Sequence, residues 1–66
     1  MRINRVSLVA EMARKDMNIK KLTELSQVSR ATITAVKSGK SCTEETAAKL
    51  AQGLGVPLES ILEKEV

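Results

Sequence analysis

The chain has 66 residues, which is enough for one domain and lies near the lower size limit at which a hydrophobic core alone stabilises a fold. It has one cysteine, no histidine and no aromatic residue, so it cannot form an internal disulfide and lacks the usual groups of acid–base and metal chemistry. The net charge of +3 is uneven: residues 1–40 carry nine Lys and Arg against three acidic residues, whereas residues 41–66 have a charge of −3.

These properties narrow the class of protein. No apolar run approaches the ~20 residues of a membrane span, and the N-terminus lacks a signal-peptide core, so with its lone cysteine the chain is predicted to be cytoplasmic. No base, metal set or phosphate loop accompanies the Ser and Lys residues, and we expect no enzyme, no metal and no cofactor. The charge pattern fits either a basic face that meets a polyanion or an uneven solvated surface. Without aromatic platforms for unpaired bases, any nucleic acid bound should be a duplex.

The spacing of apolar residues predicts five short helices in an all-α domain that spans residues 1–66. The first helix is expected from Arg5 to about Lys15, with an apolar stripe of Leu8, Met12, Val9 and Ala13. Asn18 is predicted to cap a second helix that ends near Ser26.

Ser29 is predicted to cap a third helix, which runs to about Ser38 and stops at Gly39. The Thr, Ile and Val residues of this segment also favour a strand. An isolated strand would have no partner in this chain, however, and Ile33 and Val36 are spaced to form the buried side of a helix. The prediction is therefore a helix.

Thr43 opens the predicted fourth helix, and Glu44 and Glu45 lie in its first turn, where the helix dipole favours acidic residues. Gly53 and Gly55 mark its end. Its inward stripe is expected to consist of Ala47, Leu50, Ala51 and Leu54.

Pro57 starts the last predicted helix, which carries Leu58, Ile61 and Leu62. These three apolar residues fit either ordinary core or the seam of a homodimer, and the sequence leaves both interpretations open.

The second and third helices are joined by very few residues, around Gln27 and Val28. A turn this short forces a steep crossing, and the inner faces of the two helices must fill the corner with apolar groups. The residues expected there are Leu22, Leu25, Val28, Ile33 and Val36.

Two stretches of the sequence carry a resemblance to a known family: KLTELSQVSRATITAVKSGKS and, further along, TAAKLAQGLGVPLESIL. They resemble the helix-turn-helix DNA-binding domains of the Cro and phage-repressor type, and the resemblance covers about residues 5 to 63. It implies a five-helix lambda-repressor-like bundle that binds double-stranded DNA. In that family the third helix lies in the major groove, and its N-terminal residues touch base edges.

The resemblance implies two sets of contact residues. Small side chains around a few hydrogen-bonding ones let a helix approach the bases closely, and Arg30 is the only long donor in the first turn. Its role is open between a bidentate contact to guanine and a phosphate salt bridge. The base-reading set is Ser29, Arg30, Ala31, Thr32, Thr34 and Ala35. The set expected to hold the DNA backbone is Asn18, Lys20, Lys21, Lys37, Ser38 and Lys40.

Several positions depart from the family pattern. Gln27 replaces the glycine of the tight turn and must adopt an uncommon backbone conformation or reshape the turn. Thr23 replaces a small alanine between the two helices, and Ile19 replaces a glutamine that contacts phosphate in relatives. Met12 and Lys37 stand where some relatives bury an Arg–Glu pair, and losing both partners together leaves no charge stranded.

The leading functional prediction is a sequence-specific transcriptional regulator, either a small Cro-like repressor or the DNA-binding half of a longer regulator. We expect no sensor, protease or ligand domain in this chain, and a near-palindromic operator read by a dimer. The alternative is a protein-interaction module on the same scaffold, an antirepressor or antitoxin-like protein that masks the DNA-binding surface of a partner repressor. Met17, Ile19 and the two glutamates at 44 and 45 support that alternative, and Cys42 is expected to be an incidental loop thiol.

Overall fold

The computed structural model describes residues 2–63, and four α-helices make up most of this part of the chain. They are α1 (Arg5–Arg14), α2 (Ile19–Ser26), α3 (Arg30–Lys37) and α4 (Glu44–Leu54). Within residues 2–63 the only extended pairing is an isolated antiparallel bridge between Ile3 and Leu62. The predicted all-α class is therefore confirmed for the part described, including a helix rather than a strand at α3.

Each of the four helices begins at a side-chain cap. The residue before the first turn is Asn, Ser or Thr, and its side-chain oxygen accepts the backbone N–H three residues later at 2.8–3.2 Å. Such a cap contributes about 1 kcal/mol because it satisfies one of the free N–H groups of the first turn. The caps are Asn4, Asn18, Ser29 and Thr43. The two predicted caps, Asn18 and Ser29, and the predicted start of the fourth helix at Thr43 are therefore confirmed.

The core lies where all four helices meet, with α4 packed against α2 and α1 against α3. Seven side chains are almost completely buried: Leu8, Leu22, Ile33, Val36, Leu50, Leu54 and Ile61. The inward stripe predicted for α4 is confirmed, since Ala47 and Ala51 are buried beside its two leucines.

Three residues predicted to be buried lie at the surface instead. Leu25 is 49% exposed because α2 turns Leu22 and Ser26 toward the interior, and Leu25 lies at the edge of that buried side. Val9 is 47% exposed and Ala13 is also exposed, because α1 buries only Leu8 and Met12. The apolar side of α1 is thus wider than the part of it that packs against the other helices.

Gly53 does not mark the end of α4, contrary to the prediction. It lies inside the helix, which continues to Leu54, and Gly55 provides the left-handed C-cap with φ 72°. Gly53 is instead a position where α4 approaches Ser26 of α2 closely.

The predicted fifth helix is a single 3₁₀ turn, Leu58–Ser60. It ends there because the chain then extends to pair with the N-terminal segment: Asn4 N–H donates to the Ile61 carbonyl at 2.7 Å, and Glu63 N–H donates to the Arg2 carbonyl at 3.0 Å. Ile61 is core, while Leu58 and Leu62 are half-buried against it. No helix within residues 2–63 has the length and apolar character that crossing a membrane requires.

Candidate nucleic-acid interface

The corner between α2 and α3 turns at Gln27, which adopts the left-handed conformation with φ 61° and ψ 25°. Its N–H donates to the Thr23 carbonyl at 2.9 Å, so Gln27 closes α2 in the way a glycine usually does. The uncommon backbone conformation predicted for this residue is therefore confirmed. Only residues 27–29 separate the two helices.

A buried serine, Ser26, stabilises this corner, although the sequence predicts it only as the end of the second helix. Ser26 Oγ donates to the Leu22 carbonyl at 2.6 Å and accepts the Val28 N–H at 3.2 Å. Ser26 is 5% exposed and Val28 6%, so these two bonds satisfy polar groups that water cannot reach. They fix the direction in which the chain enters α3. A serine directly before a short turn was the available signal.

Helix α3 has one buried side and one side that is largely exposed to solvent. Ile33 and Val36 are 0% and 1% exposed, and they anchor the helix in the core. On the outer side Arg30, Ala31 and Thr34 are exposed, while Thr32 and Ala35 are half-buried. None of the six predicted base-reading residues is buried.

Two of the predicted base-reading hydroxyls are engaged within the protein. Ser29 Oγ accepts the Thr32 N–H as the helix cap, and it also lies 2.8 Å from Thr32 Oγ1 in a hydrogen bond between the hydroxyls. Ser38, predicted to touch phosphate, donates its hydroxyl to the Thr34 carbonyl at 3.0 Å. These internal bonds orient the hydroxyls and leave part of their hydrogen-bonding capacity for an external ligand.

Six of the predicted contact residues line one shallow concave surface on α3 and the loop after it. Four belong to the base-reading set and two to the backbone set: Arg30, Ala31, Thr34, Ala35, Ser38 and Lys40. The fold thus places the end of α3 and the following loop beside the outer face of the helix.

The remaining backbone-contact candidates lie to the side of this surface. Asn18, Lys20 and Lys37 share a second concavity, between α1, α2 and α3, with Arg30. Lys21 lines a third concavity, which Asn18 and Lys20 also line and which includes the acidic residues Asp16 and Glu24. The twelve candidates therefore form a central surface and flanks rather than one patch.

The basic residues of this region are free of ion pairs within the described part of the chain. The two salt bridges found there are Arg14–Glu11 at 2.9 Å and Lys49–Glu45 at 3.4 Å, and both lie within single helices. The charges of Arg30 and of the four candidate lysines thus remain available for an anionic ligand.

Arg5 adds a cation beside the end of α3 and belongs to neither predicted set of contact residues, although Glu63 lines the same concavity. Its side chain crosses Gly39 so closely that a β-carbon at Gly39 would lie 3.6 Å from Arg5 Cδ and 3.7 Å from Nε. Arg5 and Arg2 share a concavity with Ser38 and Gly39 at the C-terminal end of α3. The excess of arginine in the first five residues was the available signal.

The departures from the family pattern have visible structural consequences. Thr23 Oγ1 is buried and has no hydrogen-bond partner among residues 2–63. Ile19 is half-buried beside Met17, and both pack against the edge of the core. Glu44 and Glu45 are exposed in the first turn of α4.

Burial raises the pKa of the Cys42 thiol, which therefore stays protonated at neutral pH.

Two helices joined by three residues, with the outer face of the second one exposed, define a helix-turn-helix domain. The family model of the Cro/C1-type HTH DNA-binding domain matches residues 8–65. The chain belongs to this family, as its sequence predicts, and DNA is the partner that the family implies. No curated protein and no solved structure matches the chain.

Proposed function

We propose that this protein is a sequence-specific transcriptional regulator of the Cro/repressor kind, which inserts α3 into the major groove of operator DNA. The observation that carries the proposal is the outer face of α3, where small side chains surround the exposed Arg30. Close approach to base edges needs short neighbours, and a guanidinium can contact guanine O6 and N7 together.

The flanking residues supply the sequence-independent part of binding. Lys20, Lys37 and Lys40 lie on both sides of the α3 surface, and Lys21 adds charge from the adjacent helix. Neutralising four phosphates predicts a slope of about −4 for log K against log salt, per bound monomer. Arg5, whose side chain lies against Gly39, is proposed as a further phosphate contact.

We further propose that two copies bind a near-palindromic site with half-sites one helical turn apart, ~34–36 Å. A seam at the C-terminus is supported by Leu58 and Leu62, which remain half-buried, whereas Ile61 belongs to the core. A cytoplasmic location and a non-enzymatic role follow from the proposed function and stay predictions.

The experiment that tests the proposal compares random and selected duplexes. The protein should bind random duplex weakly at low salt, with affinity that falls steeply as salt is added, and it should bind a selected near-palindromic duplex more tightly. Arg30→Ala should remove about 1–3 kcal/mol of preference for the selected site. Unchanged affinity and unchanged preference in this variant would show that α3 is not the reader.

A second candidate function is the interaction module that masks a partner repressor. The apolar surface at Met17 and Ile19, where relatives have a phosphate-contacting glutamine, favours it. The charge of that surface opposes it, because the DNA-binding face of another regulator is cationic and would meet Lys20, Arg30 and Lys37. Absence of any binding to random duplex at low salt would favour the module over the DNA-binding regulator.

A further inference from the structure

The outer side of α1 carries an apolar face that no other part of the described chain covers. Val6, Val9, Ala10 and Ala13 recur at the spacing of one helix face, and all four are exposed, Val6 to 78%. With Leu8 and Met12 on the buried side, apolar residues occupy an arc of about 200° on a helix that turns 100° per residue. A surface helix that only supports a core needs roughly half of that arc.

Part of this face continues into a groove, here called the α1–α3 groove. The apolar part of its lining, here called the floor, consists of Val9, Met12, Ala13, Met17 and Ile19, from α1, the loop after it and the start of α2. Methionine side chains adapt their shape to an apolar partner at little cost, and two of the five floor residues are methionines.

The charged part of the lining of the α1–α3 groove, here called the rim, is cationic. Lys20, Arg30 and Lys37 line it, none of them is in a salt bridge within residues 2–63, and none of the described lining residues is acidic. An apolar floor between unpaired cations is complementary to an amphipathic segment whose apolar stripe is flanked by carboxylates.

This charge pattern also distinguishes between occupants. A second copy of the chain would bring the same α1 face and the same cations, and like charges would oppose the contact. Within residues 2–63 the acidic turn at Glu44 and Glu45 cannot serve as the ligand, because the apolar side of α4 is already buried. The complementary ligand is therefore a different protein.

We propose that the α1–α3 groove binds an acidic amphipathic helix of a partner protein, and that this helix displaces DNA. The displacement rests on the proposed function, because Lys20, Arg30 and Lys37 belong both to the groove and to the proposed DNA interface. A bound acidic helix neutralises these cations and covers the approach to the first turn of α3. Ile19 would then contact the apolar side of the bound helix, at the position where relatives have a glutamine that contacts phosphate.

The first test uses a designed probe. It is an N-acetylated, amidated peptide of about 18 residues, a length that allows a helix to form on a surface. Leu recurs at i, i+3, i+4 and i+7 and Glu flanks the stripe. Controls are a scrambled sequence of equal composition and a version with Lys in place of Glu. In a ¹⁵N NMR titration of the whole chain, the probe should shift amides between residues 9 and 20 and around residues 30 and 37. Both controls should bind at least about tenfold more weakly.

Two matched variants locate the site. Ala13→Glu places a carboxylate in the floor of the groove, whereas Ala10→Glu makes the same change on the same helix, outside the groove. We expect Ala13→Glu to weaken binding of the probe at least tenfold and Ala10→Glu to leave the affinity unchanged. Circular dichroism should show that both proteins are folded. Equal binding by the two variants, equal binding of the three peptides, or shifts confined to α4 and the C-terminal turn would each overturn the proposal.

The second test separates this proposal from the proposed function. A labelled random duplex is bound at low salt and the probe is titrated in. Release of the duplex at the probe concentration that saturates the groove supports the displacement. A ternary complex of peptide, protein and duplex would overturn the displacement while leaving DNA binding intact. A protein that binds the probe but no duplex would overturn the proposed function and, with it, the displacement.

Discussion

Gly53 of α4 faces Ser26 of α2 so closely that a β-carbon at position 53 would lie 2.7 Å from Ser26 Cβ and 3.0 Å from Ser26 Cα. Real β-carbons do not approach another carbon to 2.7 Å, and two of the three nearest atoms belong to the Ser26 backbone, which cannot rotate away. The absence of a side chain at 53 therefore sets the distance between α2 and α4, and through Ser26 it sets the corner that leads into α3.

Gly53→Ala is expected to lower the free energy of unfolding by about 1–3 kcal/mol, because overpacking pushes α2 away from α4. The sign of this change is diagnostic, because in an unconstrained helix interior alanine is about 1 kcal/mol more stabilising than glycine. Urea unfolding followed by circular dichroism measures the change. Gln52→Ala, exposed on the same helix, is the control and should stay within about 0.5 kcal/mol. A stabilised Gly53→Ala protein would show that the two helices do not touch there.

Thr23→Val is expected to stabilise the protein by about 1 kcal/mol. Thr23 Oγ1 is buried without a hydrogen-bond partner in the described chain, and valine has the same shape without the hydroxyl that must be desolvated. Thermal and urea unfolding measure the effect. Thr34→Val, at an exposed position of α3, should change stability by less than about 0.5 kcal/mol. Loss of stability in Thr23→Val would mean that the hydroxyl has a partner, such as an ordered water.

Much of the fold could be predicted because its signals are local. Asn18, Ser29 and Thr43 are caps whose partners lie three residues away. The turn at Gln27 follows from two helical patterns that only a few residues separate. The buried pair Ile33 and Val36 likewise follows from spacing within one helix. Local pattern and tertiary packing agree at all of these positions.

The wrong predictions concern positions whose structure depends on a segment that is distant in the sequence. Gly53 fits either a helix end or a close approach, and only the position of Ser26 decides between them. The last helix is cut to one turn because residues after Ser60 pair with the N-terminal segment. Val9 and Leu25 have suitable spacing for burial, but the domain is too small to cover every apolar side that its helices present.

The sequence predicts the candidate DNA interface as two sets of residues, but it does not predict how the fold arranges them on the surface. The family pattern assigns both sets to one DNA-facing side. The fold then places Lys21 outside the α3 surface and brings in Arg5, which is remote from α3 in sequence. Internal hydrogen bonds of Ser29 and Thr32 depend on rotamers that a sequence does not specify.

Lys40→Ala should weaken binding to random and selected duplexes by the same factor. Lys40 lies at the end of the α3 surface, where a phosphate contact adds affinity without reading sequence. The slope of log K against log salt should become shallower by about 1, measured by fluorescence anisotropy over a series of salt concentrations. Lys49→Ala is the control, because Lys49 lies on α4 beside Glu45 and outside the proposed interface. Equal effects of the two variants would contradict the assignment.

Ser29 allows the stability of α3 to be separated from its contact with DNA. Ser29 Oγ caps α3 by accepting the Thr32 N–H at 3.2 Å, so Ser29→Ala should cost about 1 kcal/mol of unfolding free energy. Ser29→Asp keeps an acceptor at the cap and adds a negative charge that the helix dipole favours, so its stability should match or exceed that of the unaltered chain. The same carboxylate would face the DNA phosphates, and we expect it to reduce duplex affinity at least about tenfold at low salt. Urea unfolding and fluorescence anisotropy on the three proteins give the two readouts independently. A Ser29→Asp protein that is stable and binds duplex as tightly as the unaltered chain would place the N-terminus of α3 away from DNA.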